Sequence, residues 1–425
     1  MHFHIITILP EFFESPLSCG LLGKALEKKI VETSIIFPRD FTKDRHSTVD
    51  DRPYGGGPGM VMMVDPLYQA VKTLPQGCRK ILLTPKGKPF NHETAVRLSQ
   101  EKDIALVCGR YEGIDARLED LCDFEHISAG DFVLNGGESA ALCLMESVSR
   151  FLPGFMGKEE SVGDESFSKG LLEYPHYTRP ENYENHSVPQ VLLSGNHGKI
   201  AQWKRECSLQ STLKFRPELL DEADLSAEDI SFLKQIERPR PSRNLYITLV
   251  HWPVMNKKGK EGTTSLTNLD IHDIARVSET FGLGGYYICT PLKDQQILAE
   301  RLVSHWTAGP GGKGNPDRAM ALSTIQICSY LEEAVQKIQE QTGIKPHIVA
   351  TSASGPGDTT FGSIRRKLQS HPVLIVLGTG YGLSQSVLSR ADEILRPVSY
   401  LSSFNHLSVR SAASILIDRL IGDYY

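Results

Sequence analysis

The chain alternates short apolar runs with stretches whose apolar residues recur every three or four positions, the pattern of strands interleaved with amphipathic helices. The runs at 3–9, 32–37, 80–83 and 104–108 predict strands. They are closed by Pro10, Pro38, a Thr-Pro-Lys-Gly-Lys turn at 84–88 and Gly109. Helical spacing predicts helices at 21–29, 64–73 and 94–100 and from Glu138 to Pro153, the second with Pro66 in its first turn. Strands and helices in this alternation predict an α/β domain with a parallel sheet. After a proline-rich, charge-alternating boundary at 237–243 (ERPRPSR) the pattern begins afresh, with a strand at 245–251, a helix at 271–281 and a strand at 285–289, so a second α/β domain follows.

Two glycine-bracketed stretches give the first domain its candidate chemistry. The run 104–108 opens into GRYEGID, where Gly109 ends a strand with bare backbone and Gly113 offers a second point of close approach. Further on, GDFVLNGGE (130–138) again brackets apolar residues with glycines. Two such loops side by side could cradle a flat ligand; ordinary strand-to-helix turns are the alternative. Residues 39–60, RDFTKDRHSTVDDRPYGGGPGM, are too polar and glycine-rich for a regular element and predict a long loop, whose Arg45, His46, Arg52 and Tyr54 suit a polyanion or a base. The T-P-K-G-K turn lacks the spacing of a phosphate-cradling P-loop. Residues 158–169 read as an acidic linker, and a helix at 200–208 gathers Lys199, Lys204 and Arg205 beside Trp203 into a local basic patch. In the second domain VLIVLGTGYGLS repeats the earlier design, with Gly378 and Gly382 spaced as Gly109 and Gly113 are. A small-residue helix opens at 405–414, and 306–318 (WTAGPGGKGNPDR) predicts a flexible basic loop.

Composition narrows the field without deciding it. At 425 residues, 40% hydrophobic and 23% charged, the chain is an ordinary globular protein with room for two or three cores. A net charge of −5 excludes a global basic field, so any RNA surface must be local. The eight cysteines form no C-x-x-C pair and several sit in apolar runs, which predicts reduced thiols and a cytoplasmic protein. No apolar run approaches the ~20 residues of a membrane-spanning helix.

Taken together, DRPYGGGPGM (51–60), VCGRYEGID, GDFVLNGGE and GLLEYPHYTRP (170–180) resemble the TrmD-type tRNA (guanine-N1)-methyltransferases across residues 1–240. The resemblance implies a trefoil-knotted SPOUT α/β domain, a homodimer with composite sites, S-adenosylmethionine as methyl donor, and guanosine-37 in the tRNA anticodon stem-loop as acceptor. It implies a donor pocket formed by Leu82, Leu83, Thr84, Pro85, Gly87, Gly109, Tyr111, Glu112, Gly113, Ala129, Gly130, Asp131, Phe132, Val133, Leu134, Gly136 and Gly137. Asp50 and Arg52 fall at tRNA-contacting positions, and Arg150, in an intact S-V-S-R-F motif, at a catalytic one. The family's general-base aspartate aligns with Glu165, with Asp164 one place earlier as second choice. A link to Mg²⁺ puts Glu112, Glu165 and Glu173 at matching places. The implied layout is a donor-binding domain at 1–160, a linker at 161–174, a helical tRNA-binding subdomain at 175–240 carrying Lys199, Lys204 and Arg205, and a second SPOUT-like domain at 241–425. The tail of that second domain resembles the last knot motifs of SPOUT RNA methyltransferases, which implies a second donor pocket at Gly378 and Gly382; a non-catalytic RNA-binding or dimerising module is the alternative.

Overall fold

The computed structural model describes residues 1–157, 165–237, 240–353, 355, 357–399 and 404–422. The chain divides into two compact units, Met1–Asp229 and Ile230–Tyr425.

In the first unit the principal elements are β1 (His2–Ile6), α1 (Gly20–Glu27), β2 (Glu32–Ile36), α2 (Val64–Lys72), β3 (Arg79–Pro89), α3 (His92–Leu98), β4 (Asp103–Cys108), α4 (Arg117–Leu121), β5 (Glu125–Ser128), α5 (Glu138–Ser149) and α6 (His197–Phe215). The five strands form a wholly parallel sheet in the order β2-β1-β4-β3-β5. Successive residues of a strand face opposite sides. Ile5 and Leu106 therefore pack with Ala141, Leu144 and Met145 of α5, while Ile6 and Val107 pack with Leu67, Ala70 and Val71 of α2. Burial on both faces is why β4 reads as an almost unbroken apolar run, while the edge strand β2 (ETSII) is only partly buried and carries polar residues.

Two expectations are corrected here. The segment 84–88 is not a turn that ends its strand: the chain stays extended to Pro89, with a register shift against β5 between Leu83 and Lys88. Gly87 permits this, since a Cβ there would lie 2.5 Å from Ile127 N. Nor is 39–60 a featureless loop. Pro38–Phe41 forms a 3-10 turn, the Asp44 carboxylate accepts from the amides of His46 and Thr48 (3.0 Å each), and Asp50–Asp51 pairs antiparallel with Val61–Met62. Short polar side chains bonding their own backbone supply this order, which hydrophobic periodicity does not register. Helix α6 is longer than the expected 200–208: it begins at His197, where Asn196 caps it by accepting from Lys199 N at 3.1 Å, and runs on to Phe215.

The second unit contains β6 (Leu245–Val250), α7 (Asn268–Thr280), β7 (Gly285–Cys289), α8 (Lys293–Thr307), α9 (Pro316–Ser323), β8 (Ile325–Cys328), α10 (Leu331–Thr342), β9 (His347–Thr351), α11 (Phe361–Leu368), β10 (Val373–Gly378), β11 (Glu393–Leu395) and α12 (Val409–Ile421). Its sheet is also parallel, in the order β8-β7-β6-β10-β9-β11. With the edge strand β8 set aside, the remaining order repeats that of the first sheet, so β10 and its glycine occupy the place of β4. Leu245, Ile247 and Leu249 pack with α7, α11 and α12, and Tyr246 and Val250 with α10 on the other face. The segment 306–318, expected to be flexible, is helical instead. Pro310–Gly314 forms a short helix and Asn315 caps α9 by accepting from Arg318 N (3.0 Å). Trp306 anchors it, with Arg318 over its ring at 4.6 Å and His272 against its edge. Among the described residues no helix is long and apolar enough to cross a membrane. All eight cysteines are free thiols.

Candidate active site

In a parallel sheet the C-terminal ends of the strands lie along one edge, where α/β proteins bind ligands. In the first unit a crevice of about 350 Å³ opens at that edge between residues 82–86 of β3 and the loops that follow β4 and β5. The loop after β4 turns tightly: Gly113 N donates to Arg110 O (3.1 Å), with Tyr111 and Gly113 at φ +58° and +128°. A tyrosine in the left-handed region is strained, and here it leaves its ring half exposed over the crevice. The second loop is tied to the first by Gly137 N donating to Gly109 O (2.9 Å) and by a bridge between Arg110 and Gly136. Gly137 has an ordinary φ of −78°, so its freedom is not in use; a Cβ there would sit 2.8 Å from Cys108 Cα, and glycine alone allows the approach.

Beneath this junction lies an ion pair. Glu138, the first residue of α5 and 2% exposed, accepts from Thr7 Oγ1 (2.9 Å) and from Arg110 Nη1 (3.2 Å). It fixes the helix to β1 and to the glycine turn at once. A further ionic group closes one wall: Lys86 Nζ lies 2.5 Å from Glu119 Oε1 and His126 Nε2 2.8 Å from Glu119 Oε2, and the lysine, with the histidine, holds the Glu119 carboxyl below the usual carboxylate range.

Of the expected donor-pocket residues, Leu82, Leu83, Thr84, Pro85, Gly109, Tyr111, Glu112, Gly113, Ala129, Gly130, Phe132, Val133, Leu134, Gly136 and Gly137 line the crevice. Gly87 and Asp131 do not. Gly87 is turned to the β3–β5 contact, and Asp131 sits on the solvent side of its loop. The lining adds Lys86, Arg110, Glu119, Ser128 and Asn135, which the sequence reading left without a role; Arg110 stood inside the GRYEG motif, but nothing local marks its partner 28 residues away. The glycine-rich arm is stitched to the rim, with Glu112 N donating to Met60 O (3.0 Å) and Met62 N to Gly113 O (2.9 Å). Asp50 is half-buried in its short β-pair, while Arg52 and Tyr54 project into solvent.

The expected catalytic pair is brought together elsewhere. Arg150, at the C-terminal end of α5, lies 2.5 Å from Glu165 Oε1 through Nη2, and within one chain neither lines the glycine crevice. Glu165 instead lines a cleft of about 250 Å³ with Glu173, Tyr174, Lys204 and Arg205. Asp164 lies outside the described residues. Glu112 is apart from Glu165 and Glu173, and Glu173 is paired with His176 Nε2 at 2.7 Å. Among the described residues these acids do not converge as metal ligands must, so they do not fit a Mg²⁺ site. In the basic patch Arg205 is paired with Asp229 (2.8 and 3.2 Å), Lys204 donates to Tyr174 Oη (2.8 Å) and keeps its charge, and Lys199 is exposed at the start of α6. The helix spacing was right, but the acid that neutralises Arg205 comes from a later segment.

In the second unit Gly378 ends β10 and Gly382 (φ +100°) follows, where Gly382 N donates to Thr379 O (3.1 Å) and Met255 N to Gly382 O (2.9 Å). The turn thus sits at the strand end equivalent to Gly109–Gly113. Ser408 caps α12, accepting from Ser411 N (3.3 Å), as the helix follows the N-H-L-S segment.

Comparison with known proteins agrees with both halves of this description. Residues 1–222 match the family model described as tRNA (Guanine-1)-methyltransferase TrmD, and residues 244–422 match one described as SAM-dependent RNA methyltransferase. The chain is 56% identical over 423 residues, covering 100% of both chains, to a tRNA (guanine-N(1)-)-methyltransferase of Oleidesulfovibrio alaskensis. It is 55% identical to one of Nitratidesulfovibrio vulgaris across 99% of each. A protein of the same name from Geotalea uraniireducens is 48% identical over 98% of its own length but 56% of this chain. The chain belongs to the TrmD family of tRNA (guanine-1)-methyltransferases and carries a SAM-dependent RNA methyltransferase domain in its C-terminal half.

Proposed function

We propose that the first unit transfers a methyl group from S-adenosylmethionine to N1 of guanosine-37 in the anticodon stem-loop of tRNA, as a cytoplasmic homodimer built on a trefoil-knotted SPOUT domain. The carrying observation is the glycine crevice, in a chain of this family: its volume, its exposed backbone on two loops and its mixed polar and apolar walls fit a flat nucleoside with a short charged tail. The donor, when bound, supplies an electrophilic methyl carbon whose bond to sulfur breaks, with the electron pair going to sulfur, as N1 bonds to it.

This chain's residues must then manage the acceptor. Guanine N1 carries a proton and is a poor nucleophile at neutral pH. In this reading the Glu165 carboxylate takes that proton while the Arg150 guanidinium bears the charge that shifts to O6. A base arriving at the 2.5 Å pair would exchange the mutual contact of the two side chains for contacts to N1–H and O6. Because the pair stands outside the crevice of its own chain, the reading makes the site composite, the crevice of one protomer facing the pair of its partner. The apolar side chains of Phe132, Val133 and Leu134, 57, 87 and 42% exposed at the crevice mouth, support such a cover. Asp50, Arg52, Lys199 and Lys204 are left to contact tRNA, Arg205 being paired with Asp229. The assignment is a donor-binding domain at 1–160, a linker at 161–174, a tRNA-binding subdomain at 175–240, and a second methyltransferase acting on RNA at 241–425 with its donor at Gly378 and Gly382.

Primer extension across position 37 of tRNA incubated with enzyme and donor tests the first unit. N1 methylation removes a Watson–Crick donor and halts the polymerase, and full-length read-through would refute the proposal. Glu165→Gln should retain donor binding and lose turnover.

A further inference from the structure

The opposite end of the first sheet carries a cluster that the methyl-transfer reading does not use. His2 and His4 stand two residues apart on β1 and so project from one face of the strand. The register sets Asp103, the first residue of β4, directly opposite His2. His4 Nε2 lies 3.2 Å, and His2 Nδ1 4.0 Å, from Asp103 Oδ1, and the two rings stack with centroids 4.1 Å apart. The remaining ring nitrogen of His2, Nε2, is 2.7 Å from Ser34 Oγ on β2. A proton on Nε2 donated to that hydroxyl leaves the Nδ1 lone pair aimed at the cluster, as an outer hydrogen bond orients an imidazole ligand. Among the described residues this is the one set of three or more such side chains whose donor atoms all lie within 4.8 Å of one another.

We propose that His2 Nδ1, His4 Nε2 and an Asp103 oxygen bind a divalent transition-metal ion of the zinc type, with water completing the shell. Two imidazoles and one carboxylate are a ligand set that zinc accepts. Ligands about 2.0–2.1 Å from a tetrahedral zinc stand roughly 3.3 Å from one another; the carboxylate lies 3.2 and 4.0 Å from the two ring nitrogens and all three donor atoms fall within 4.8 Å, so a closure of at most about 1.5 Å brings them to that spacing. The His2 and Asp103 side chains keep 29 and 20% exposure, which gives an ion a way in. The ion would join β1 to β4, and through Ser34 to β2, at the strand ends remote from Gly109. The length of β4, about 20 Å, separates it from the crevice, so its role is to fasten the sheet and not to act on the methyl group.

Calorimetric titration of ZnCl₂ into the full chain, free of any histidine tag and stripped with chelator, tests this. The expected result is one equivalent that is lost, or weakened at least about tenfold, in both Asp103→Asn and His2→Ala. Circular dichroism and S-adenosylmethionine binding should stay unchanged in both variants. Co²⁺ in place of Zn²⁺ should give a visible d–d spectrum without a thiolate charge-transfer band. Absence of a bound equivalent, its undiminished persistence in both variants, or a thiolate band from the free cysteines would each overturn the assignment, and the retained donor binding separates that outcome from a failure of the crevice itself.

Discussion

Glu138 is the residue on which the crevice floor rests, and replacing it with alanine gives a sharp test. Its carboxylate is 2% exposed at the first position of α5 and meets Thr7 Oγ1 at 2.9 Å and Arg110 Nη1 at 3.2 Å. Glu138→Ala removes an anion from a helix N-terminus, worth about 0.3–1 kcal/mol, and leaves the O–H of the fully buried Thr7 without its acceptor, although Leu9 N still donates to the oxygen (3.0 Å), a further ~1 kcal/mol. Breaking a buried ion pair from one side costs about 3–5 kcal/mol. Arg110, however, keeps 23% side-chain exposure and can turn partly to water. These contributions overlap, and the low end, about 3 kcal/mol in all, is the expectation. For a unit of this size that lowers the melting midpoint by about 6–12 °C, read by differential scanning calorimetry on the first unit's transition. Glu138→Gln, which keeps the shape and the Thr7 contact, should lose about half as much. Arg110→Met combined with Glu138→Ala should show a coupling of about 1–2 kcal/mol. A loss below about 1 kcal/mol, or strictly additive singles, would mean that water already solvates the carboxylate and that the pair does not hold the two loops together.

Gly137→Ala should weaken S-adenosylmethionine binding to the first unit at least about tenfold in calorimetry, since the added carbon meets backbone at 2.8 Å and the two loops must part; equal affinity would mean that the loops already stand apart in solution. Uptake of donor by the second unit should be unaffected by that change and abolished by Gly378→Ala, where a Cβ would sit 2.6 Å from Leu383 N. His251, 1% exposed, has its pKa pushed down by burial to about 4. Its folded-state value lies below the unfolded one, so the unfolded chain takes the proton first. The stability of the second unit is therefore whole above about pH 6.5 and falls as pH drops toward 4, by about 3 kcal/mol. Urea midpoints measured between those pH values should fall in the parent and flatten in His251→Leu; an unchanged slope in the variant would assign the loss to other groups.

Much of this protein could be read from its sequence because its sheets are parallel and buried on both faces. The central strands of such sheets must be largely apolar, and glycine or proline closes the run, so β4, β6, β7 and β10 and the two glycine turns stood out in the linear pattern. The glycines that line the crevice, Gly109, Gly113, Gly130, Gly136 and Gly137, were likewise visible in the linear pattern. What the linear pattern could not supply was partnership across distance. The pairing of Arg110 with Glu138, the capture of Arg205 by Asp229, the meeting of Arg150 with Glu165 away from the crevice, the helical order around Trp306, and the gathering of His2, His4 and Asp103 each depend on segments that come together only once the chain folds. Periodicity reports which face of an element is buried and says nothing of which charge waits on the neighbouring one. Local chemistry is therefore written residue by residue, while electrostatic pairing is decided by strand order and register, and those belong to the tertiary structure alone.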